Sequence, residues 1–194
     1  MPGRNKIADL KKNVTAKDKY CAVTGVCLLV GDGIFPYMEA AMQFTISSTA
    51  FQHDGAIPAL YTCDGKNLSP PLSWSGVPTN AKSLVLIIDD PDATRTTWVH
   101  WVLYNIPPST HSLPEGVAAS SLPYGTLQGK NDWQKIGYGG PCPPMDNHHY
   151  FHKLIALDTV LPDLKSPTKA ALEAAMQGHI ISRTELIGRY QRQH

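Results

Sequence analysis

Three apolar runs in the middle and second half of the chain give the clearest structural pattern. They are residues 84–88, which are uninterrupted aliphatic, and residues 98–106 and 150–157, which polar residues interrupt only at a few positions. A strand that is apolar on both alternating faces is covered on both sides. We therefore predict three strands in the middle of a β-sandwich.

The polar residues inside these runs are mostly histidines. If the alternation of a strand holds, His100 shares a face with Val102 and Tyr104, and His152 shares one with Tyr150. A single histidine on such a face is more often a hydrogen-bonded core residue than a ligand. On this pattern alone, both histidines are interpreted as structural.

The pattern changes near Met42. Before it there is no sustained period, whereas residues 43–47 alternate as a strand does. We predict that residues 1–41 are an extension or leader and residues 42–194 the domain. Residues 21–30 are apolar but about half as long as a membrane helix. We expect a cytoplasmic protein without a transmembrane segment, or a periplasmic or secreted one if residues 1–41 are a leader.

Turn residues and helix caps organise the remaining segments. Residues 64–74 are predicted to be a structured loop without a central strand, because they contain two prolines, and to be anchored by one buried aromatic side chain. A short helix is predicted from Ser166 as N-cap to Gly178 as its stop. For residues 180–190 a strand is preferred over a second helix.

Composition excludes some function classes. The chain has many prolines and glycines, which favours turns and β structure, and a formal net charge of +1 without an extended basic block. We therefore expect no nucleic acid as a partner, and nothing in the charge pattern requires an anionic membrane surface. The four cysteines show neither CxxC spacing nor the density of a disulfide scaffold, so we predict reduced thiols.

The familiar catalytic and metal motifs are absent. The chain has no HExxH, no GxSxG and no phosphate-loop motif. His148, His149, His152 and Cys142 could be metal ligands by chemistry. Adjacent histidines on a strand point to opposite faces, however, so at most two of these histidines converge. We expect neither a metal nor a cofactor.

Asp90 lies directly after the aliphatic run, in Asp90-Pro91-Asp92. Asp and Pro are common turn residues, and a turn alone would explain them. An ionised carboxylate at the end of a buried strand is costly, however, unless it meets a cation or several donors. His100 and His148 are the two candidates for its partner.

Four motifs, in order, resemble one known family. They are Asn67-Leu68-Ser69-Pro70-Pro71-Leu72-Ser73-Trp74, Asp90-Pro91-Asp92-Ala93, Trp98-Val99-His100-Trp101 with the four residues after it, and Gly140-Pro141 through His148-His149-Tyr150 to Asp158. From about Met42 to about Tyr190 the chain is similar to the phosphatidylethanolamine-binding protein family, in the bacterial and archaeal branch related to the Raf kinase inhibitor protein. One departure is Thr94, where the family commonly has proline.

The resemblance implies a mainly β fold and a ligand pocket. The fold would be a Greek-key β-sandwich with a large central sheet, a smaller sheet, and short peripheral and C-terminal helices; a cis-proline is also expected. The pocket would take phosphate-like anions or phosphorylated head groups at one end of the large sheet. The residues carried over to it are Asp90, His100, Gly140, Pro141, His148 and Tyr150.

Two functions remain open. The first is a binding module that recognises a phosphorylated small molecule, lipid head group or protein and regulates a partner such as a kinase. The alternative is a hydrolase or lyase in which a pocket histidine is the general base and Asp90 orients it. Binding is favoured, mainly on the resemblance, and no catalytic residue is assigned. Dimer formation is left open.

Overall fold

The computed structural model describes residues 20–21, 27–28 and 42–192. The chain separates into two compact units, Met1–Glu39 and Ala40–His194. In the described part of the first unit, β1 (Tyr20–Cys21) pairs antiparallel with β2 (Cys27–Leu28). The predicted leader otherwise lies outside the described residues.

The second unit contains two sheets. The smaller sheet has the order β3-β5-β8 and the larger one the order β4-β11-β10-β6-β7-β9. Their strands are β3 (Thr45–Ser47), β4 (Gly55–Ala56), β5 (Leu72–Ser75), β6 (Ser83–Asp90), β7 (Trp98–Ile106), β8 (Ser112–Leu113), β9 (Leu127–Gln128), β10 (His148–Leu157) and β11 (Ile180–Tyr190). The helices are α1 (Lys169–Met176) and two short 3₁₀ turns, Ala59–Tyr61 and Ala119–Ser121.

The large sheet contains a Greek key. Strands β6, β7 and β9 pair antiparallel in succession, and β10 returns to pair antiparallel with β6 on its other side. This is the spatial order 4-1-2-3 that defines the motif. The predicted mainly β sandwich, with a larger and a smaller sheet and few helices, is confirmed.

Apolar cores cover both faces of the large sheet. Trp101 and Leu103 of β7 belong to the core that also includes small-sheet residues such as Trp74. Val102 and Tyr104 belong to the core on the other face, which includes α1 residues. The three long strands are therefore covered on both sides, as their uninterrupted apolar pattern predicts.

A β-bulge changes the position of His100. Asp89 is opposite Val99 and Ile88 is opposite Trp101, so His100 is an extra residue in β7. Its ring packs edge-on against Tyr150, with centroids 5.1 Å apart, on the face opposite that of Val102. The predicted shared face with Val102 and Tyr104 is wrong, because the bulge interrupts the alternation.

The predicted shared face of His152 and Tyr150 is confirmed. The His152 ring lies 5.3 Å from Phe51, which belongs with Tyr150 to the core between the sheets.

Two local predictions are corrected. Leu72–Ser75 is the middle strand of the small sheet, not a loop, because both prolines precede the strand and cost it no ladder hydrogen bond. The buried anchor at Trp74 is confirmed. Helix α1 has Thr168 as N-cap, with its Oγ1 accepting the Ala171 N–H at 3.3 Å. The predicted N-cap, Ser166, instead has a left-handed φ of 57°.

Three further expectations concern the backbone. The strand preferred for residues 180–190 is confirmed. Every peptide bond in the described residues is trans, so the expected cis-proline is not found there; trans is the lower-energy isomer even before proline. Among the described residues, no helix is long and apolar enough to cross a membrane.

Candidate functional site

A cavity of about 270 Å³ lies at one end of the large sheet. Strand β6 ends there, and its antiparallel neighbours β7 and β10 begin there, so three strand ends deliver side chains to one place. The lining residues are Asp90, Ala93, Thr94, Trp98, His100, Trp133, Cys142, Pro143, Pro144, His148 and Tyr150. Four predicted site residues, Asp90, His100, His148 and Tyr150, are thus brought together.

Asp90 and His148 form a buried pair. The His148 Nδ1–H donates to Asp90 Oδ2 at 2.7 Å, and both side chains are less than a tenth exposed. The other carboxylate oxygen accepts the Asp92 N–H at 2.8 Å. Because an ionised carboxylate only accepts, the proton lies on Nδ1. The Nε2 atom of His148 is the nitrogen available to another partner.

His100 is held in the same tautomer by a backbone carbonyl. Its Nδ1–H donates to Gly139 O at 2.7 Å, and its ring is also edge-on to Trp133 at 5.1 Å. Burial lowers the pKa of His100 below its usual value, although the Gly139 carbonyl and the Asp90 charge partly oppose this. At neutral pH His100 is therefore uncharged.

The Tyr150 hydroxyl is buried without a partner. The residue is 1% exposed, and its Oη makes no hydrogen bond to any of the described residues. Burial, followed by the negative charge of Asp90, raises the pKa of this phenol well above its usual value. It is therefore a neutral O–H donor with its hydrogen-bonding capacity unused, on a residue that lines the cavity.

The other two predicted site residues, Gly140 and Pro141, do not line the cavity. Gly140 N–H donates to Asn67 Oδ1 at 2.7 Å, and Pro141 O accepts the Cys63 N–H at 3.0 Å. A Cβ at Gly140 would lie 2.4 Å from Tyr61 O, so this close approach requires glycine. Both residues fix the loop behind the cavity wall.

The loop after β6 is fastened to the start of β10. Asp92 Oδ2 accepts the backbone N–H of His149 at 2.8 Å and its ring Nδ1–H at 2.6 Å. Burial acts to raise the pKa of Asp92, but the hydrogen bonds from His149 outweigh it and lower the pKa overall. His149 thus holds the loop that carries Thr94, and it lies outside the cavity lining.

Trp133 is a lining residue that lies outside every motif singled out in the sequence. It packs edge-on against Trp98 at 5.4 Å as well as against His100, and it is 39% exposed. The feature that could have identified it is an indole in an otherwise polar stretch, residues 128–135. A large aromatic residue among turn residues is either a core anchor or a contact for a ligand.

Cys63 and Cys142 form a disulfide across a separation of 79 residues. The prediction of reduced thiols is therefore wrong for this pair. The two loops that carry these cysteines place their Cα atoms 5.4 Å apart, a distance that a disulfide can span. The spacing of cysteines in the sequence does not reveal a contact between residues so far apart in the chain. The side chains of the other two cysteines lie outside the described residues.

The cavity offers hydrogen bonds rather than a cationic wall. Its ionisable lining residues are Asp90, His100, His148 and Tyr150, and none of its lining residues is lysine or arginine. Within the described ranges, no group of three or more His, Cys, Asp or Glu residues could hold a metal ion. The donors suited to an anion are the phenol and whichever imidazoles carry a second proton.

Comparisons with known proteins agree with this fold. A family model described as phosphatidylethanolamine-binding protein matches residues 47–191. A UPF0098 protein from Methanothermobacter thermautotrophicus is 52% identical over 148 residues, which cover 76% of this chain and 98% of that protein.

Two solved structures are similar throughout the matched region. A phosphatidylethanolamine-binding protein homologue from Chlamydia trachomatis has a TM-score of 0.73 and 43% identity, and the match covers 77% of this chain and 98% of that one. Escherichia coli YbcL, described as a member of the mammalian family, has a TM-score of 0.73 and 32% identity, with 77% and 99% covered. The chain belongs to the phosphatidylethanolamine-binding protein family.

Proposed function

We propose that this protein is a binding module whose cavity takes a small ligand bearing a phosphate-like anion or a phosphorylated head group. The observation that carries the proposal is the Tyr150 hydroxyl, which is buried and lacks a partner among the described residues, on a residue that lines the cavity. A buried donor without an acceptor costs free energy in the empty protein. An anionic oxygen in the cavity would satisfy it.

The two histidines complete the recognition. The Nδ1–H of His148 already donates to Asp90, and that of His100 donates to Gly139 O. The Nε2 atom of each ring is the one that meets the ligand. It accepts from a ligand hydroxyl when the ring is neutral and donates to a ligand oxygen when the ring is protonated. A phosphate that carries one proton suits this mixed set. Asp90 acts through His148, whose ring it orients by accepting the Nδ1–H.

Tyr150→Phe tests the proposal directly. Removing an unsatisfied buried hydroxyl should leave the stability of the free protein unchanged or slightly higher. It should weaken phosphate binding about tenfold or more, since a hydrogen bond to a charged group contributes about 1.5–3 kcal/mol. Calorimetric titration with phosphate and phosphoethanolamine, together with urea unfolding of the free protein, measures both effects.

Tyr104→Phe is the matched control. Tyr104 is also fully buried, but its Oη accepts the Leu164 N–H at 3.1 Å and lies 3.4 Å from Asp163 Oδ1, on the opposite face of the sheet. This variant should lose stability and keep its phosphate affinity. Unchanged affinity in Tyr150→Phe, or no binding by the wild-type protein, would refute the proposed function.

The partner and the alternative chemistry follow from the same site. The donors that suit a free phosphate also suit a phosphorylated side chain. Regulation of a partner such as a kinase is therefore part of the proposal.

The hydrolase or lyase alternative receives no support from Cys142, because its sulfur is bonded to Cys63 and is not a free nucleophile.

A further inference from the structure

The cavity wall includes a segment with few attachments. Residues 142–147 connect the buried Gly140-Pro141 turn to β10, and the first three of them, Cys142, Pro143 and Pro144, line the cavity. Among the described residues, no hydrogen bond or ion pair involves any residue of this segment. The Cys63–Cys142 disulfide is its one cross-link there.

The neighbouring residues on each side are well fixed. Before the segment, Gly139 bonds to His100, Gly140 N–H to Asn67, and Pro141 O to the Cys63 N–H. After it, His148 pairs with Asp90. Without the disulfide, residues 142–147 would be held by their two ends and by the packing of Pro143, which is the buried residue of the segment. The disulfide is therefore the one covalent cross-link within the described residues that holds this part of the wall.

Both cysteines of the bond are exposed. Cys142 also lines the cavity, and both sulfur-bearing residues line a second cavity of about 230 Å³ behind Trp133. Thiol–disulfide exchange requires that an attacking thiolate reaches one of the sulfurs, and an exposed bond at a cavity rim meets this requirement.

We propose that the Cys63–Cys142 disulfide is a reversible exchange site for a dithiol reductant, and that its reduction releases residues 142–147 from the cavity wall. In the reaction the bond between the two Sγ atoms breaks and the two dithiol sulfurs bond to each other. The two dithiol protons end on Cys63 and Cys142. The redox state of this pair then controls ligand affinity, a consequence that rests on the proposed function.

A cleavage experiment tests the release without any ligand. An Asp-specific endoprotease cuts before Asp146, which is exposed in the segment. Dithiothreitol should accelerate this cut about tenfold, since cleavage follows the population of the open segment. Cleavage before Asp163, whose carboxylate bonds to Lys165, is the internal control and should not change. Equal rates at Asp146 before and after reduction would overturn the proposal.

A second measurement follows ligand affinity on the full chain. Reduction should weaken phosphate binding about tenfold, because the ligand must then order the wall itself. Reoxidation should restore it, with peptide mass mapping to verify that Cys63 and Cys142 are the pair that changes. A Cys63→Ser, Cys142→Ser double variant should match the reduced protein and no longer respond to the dithiol.

The two experiments separate the possible failures. If the oxidised protein binds no phosphate, the proposed function fails, while the cleavage rates still decide whether the disulfide holds the segment. If binding is present but identical in both redox states, control of the cavity by the disulfide is wrong.

Discussion

At the residue scale, the proposed function predicts that His100 makes ligand binding depend on pH. Its pKa is held below the usual value, mainly by burial, so the free protein has a neutral ring near pH 7. A dianionic ligand beside Nε2 would favour the protonated ring and raise this pKa. Binding then takes up a proton, and affinity should rise as the pH falls from 7 through the ordinary histidine range.

Sulfate is the appropriate probe for this prediction, because it does not titrate between pH 5 and 8. The sulfate affinity should increase by at most about tenfold per pH unit, the limit for uptake of one proton. His100→Gln should remove most of this dependence. His179→Gln, a change at a half-exposed histidine paired with Asp158, should keep it. A pH-independent affinity in the wild type would contradict the role assigned to His100.

A single residue could be predicted from the sequence where its immediate neighbours imply a free-energy cost. Asp90 could be placed at a site because a carboxylate at the end of an apolar strand needs a partner, and the structure supplies His148 at 2.7 Å. The disulfide was not predictable in this way, because it joins loops that meet only in the folded chain. For Trp133 the sequence shows an indole among polar residues, but its contact with His100 also depends on the folded chain.

At the element scale, one buried carboxylate joins three elements. Asp89 of β6 is fully buried, and its carboxylate lies 2.8 Å from Lys153 Nζ of β10 and 2.6 Å from Lys169 Nζ of α1. A buried charge with two cationic partners is stabilised by their attraction, whereas removing it leaves the cations uncompensated. This cluster therefore fastens α1 to the large sheet.

Asp89→Asn should lower the free energy of unfolding by about 2 kcal/mol, less than for a fully buried pair because both lysines can reach water. Urea unfolding at pH 7 measures this. Glu173→Gln is the matched control, since Glu173 is a half-exposed partner of the same Lys169 at 3.7 Å and should contribute little. Equal stability of the two variants would show that the cluster does not fasten the helix.

The long strands were predictable because burial on both faces requires continuous apolar sequence. Residues 98–106 form β7 with the predicted bounds. The bulge at His100 was not predictable, since one extra residue leaves the composition of the run unchanged while moving a side chain to the other face. That displacement is what places His100 against Tyr150 in the site.

At the scale of the whole molecule, we expect His152 to make the fold sensitive to acid. It is 1% exposed in the core between the two sheets, next to Phe51, and its Nδ1–H donates to Tyr150 O at 3.2 Å. Burial lowers its pKa from 6.5 to about 4. The folded protein therefore keeps this ring neutral at pH values where the unfolded chain protonates it.

The sign of the effect follows from proton uptake. Between pH 6.5 and about 4 the unfolded state binds a proton at His152 that the folded state does not bind, so stability decreases as the pH falls through this window. The loss of unfolding free energy from this histidine should reach about 3 kcal/mol at the acidic end.

The His152→Gln variant should be less stable than the wild type at pH 7. Its free energy of unfolding should decrease less on acidification, because it lacks the ring that takes up the proton. Urea unfolding at several pH values from 7 to 4 measures both slopes. If His152→Gln shows the wild-type slope, the acid sensitivity comes from other groups.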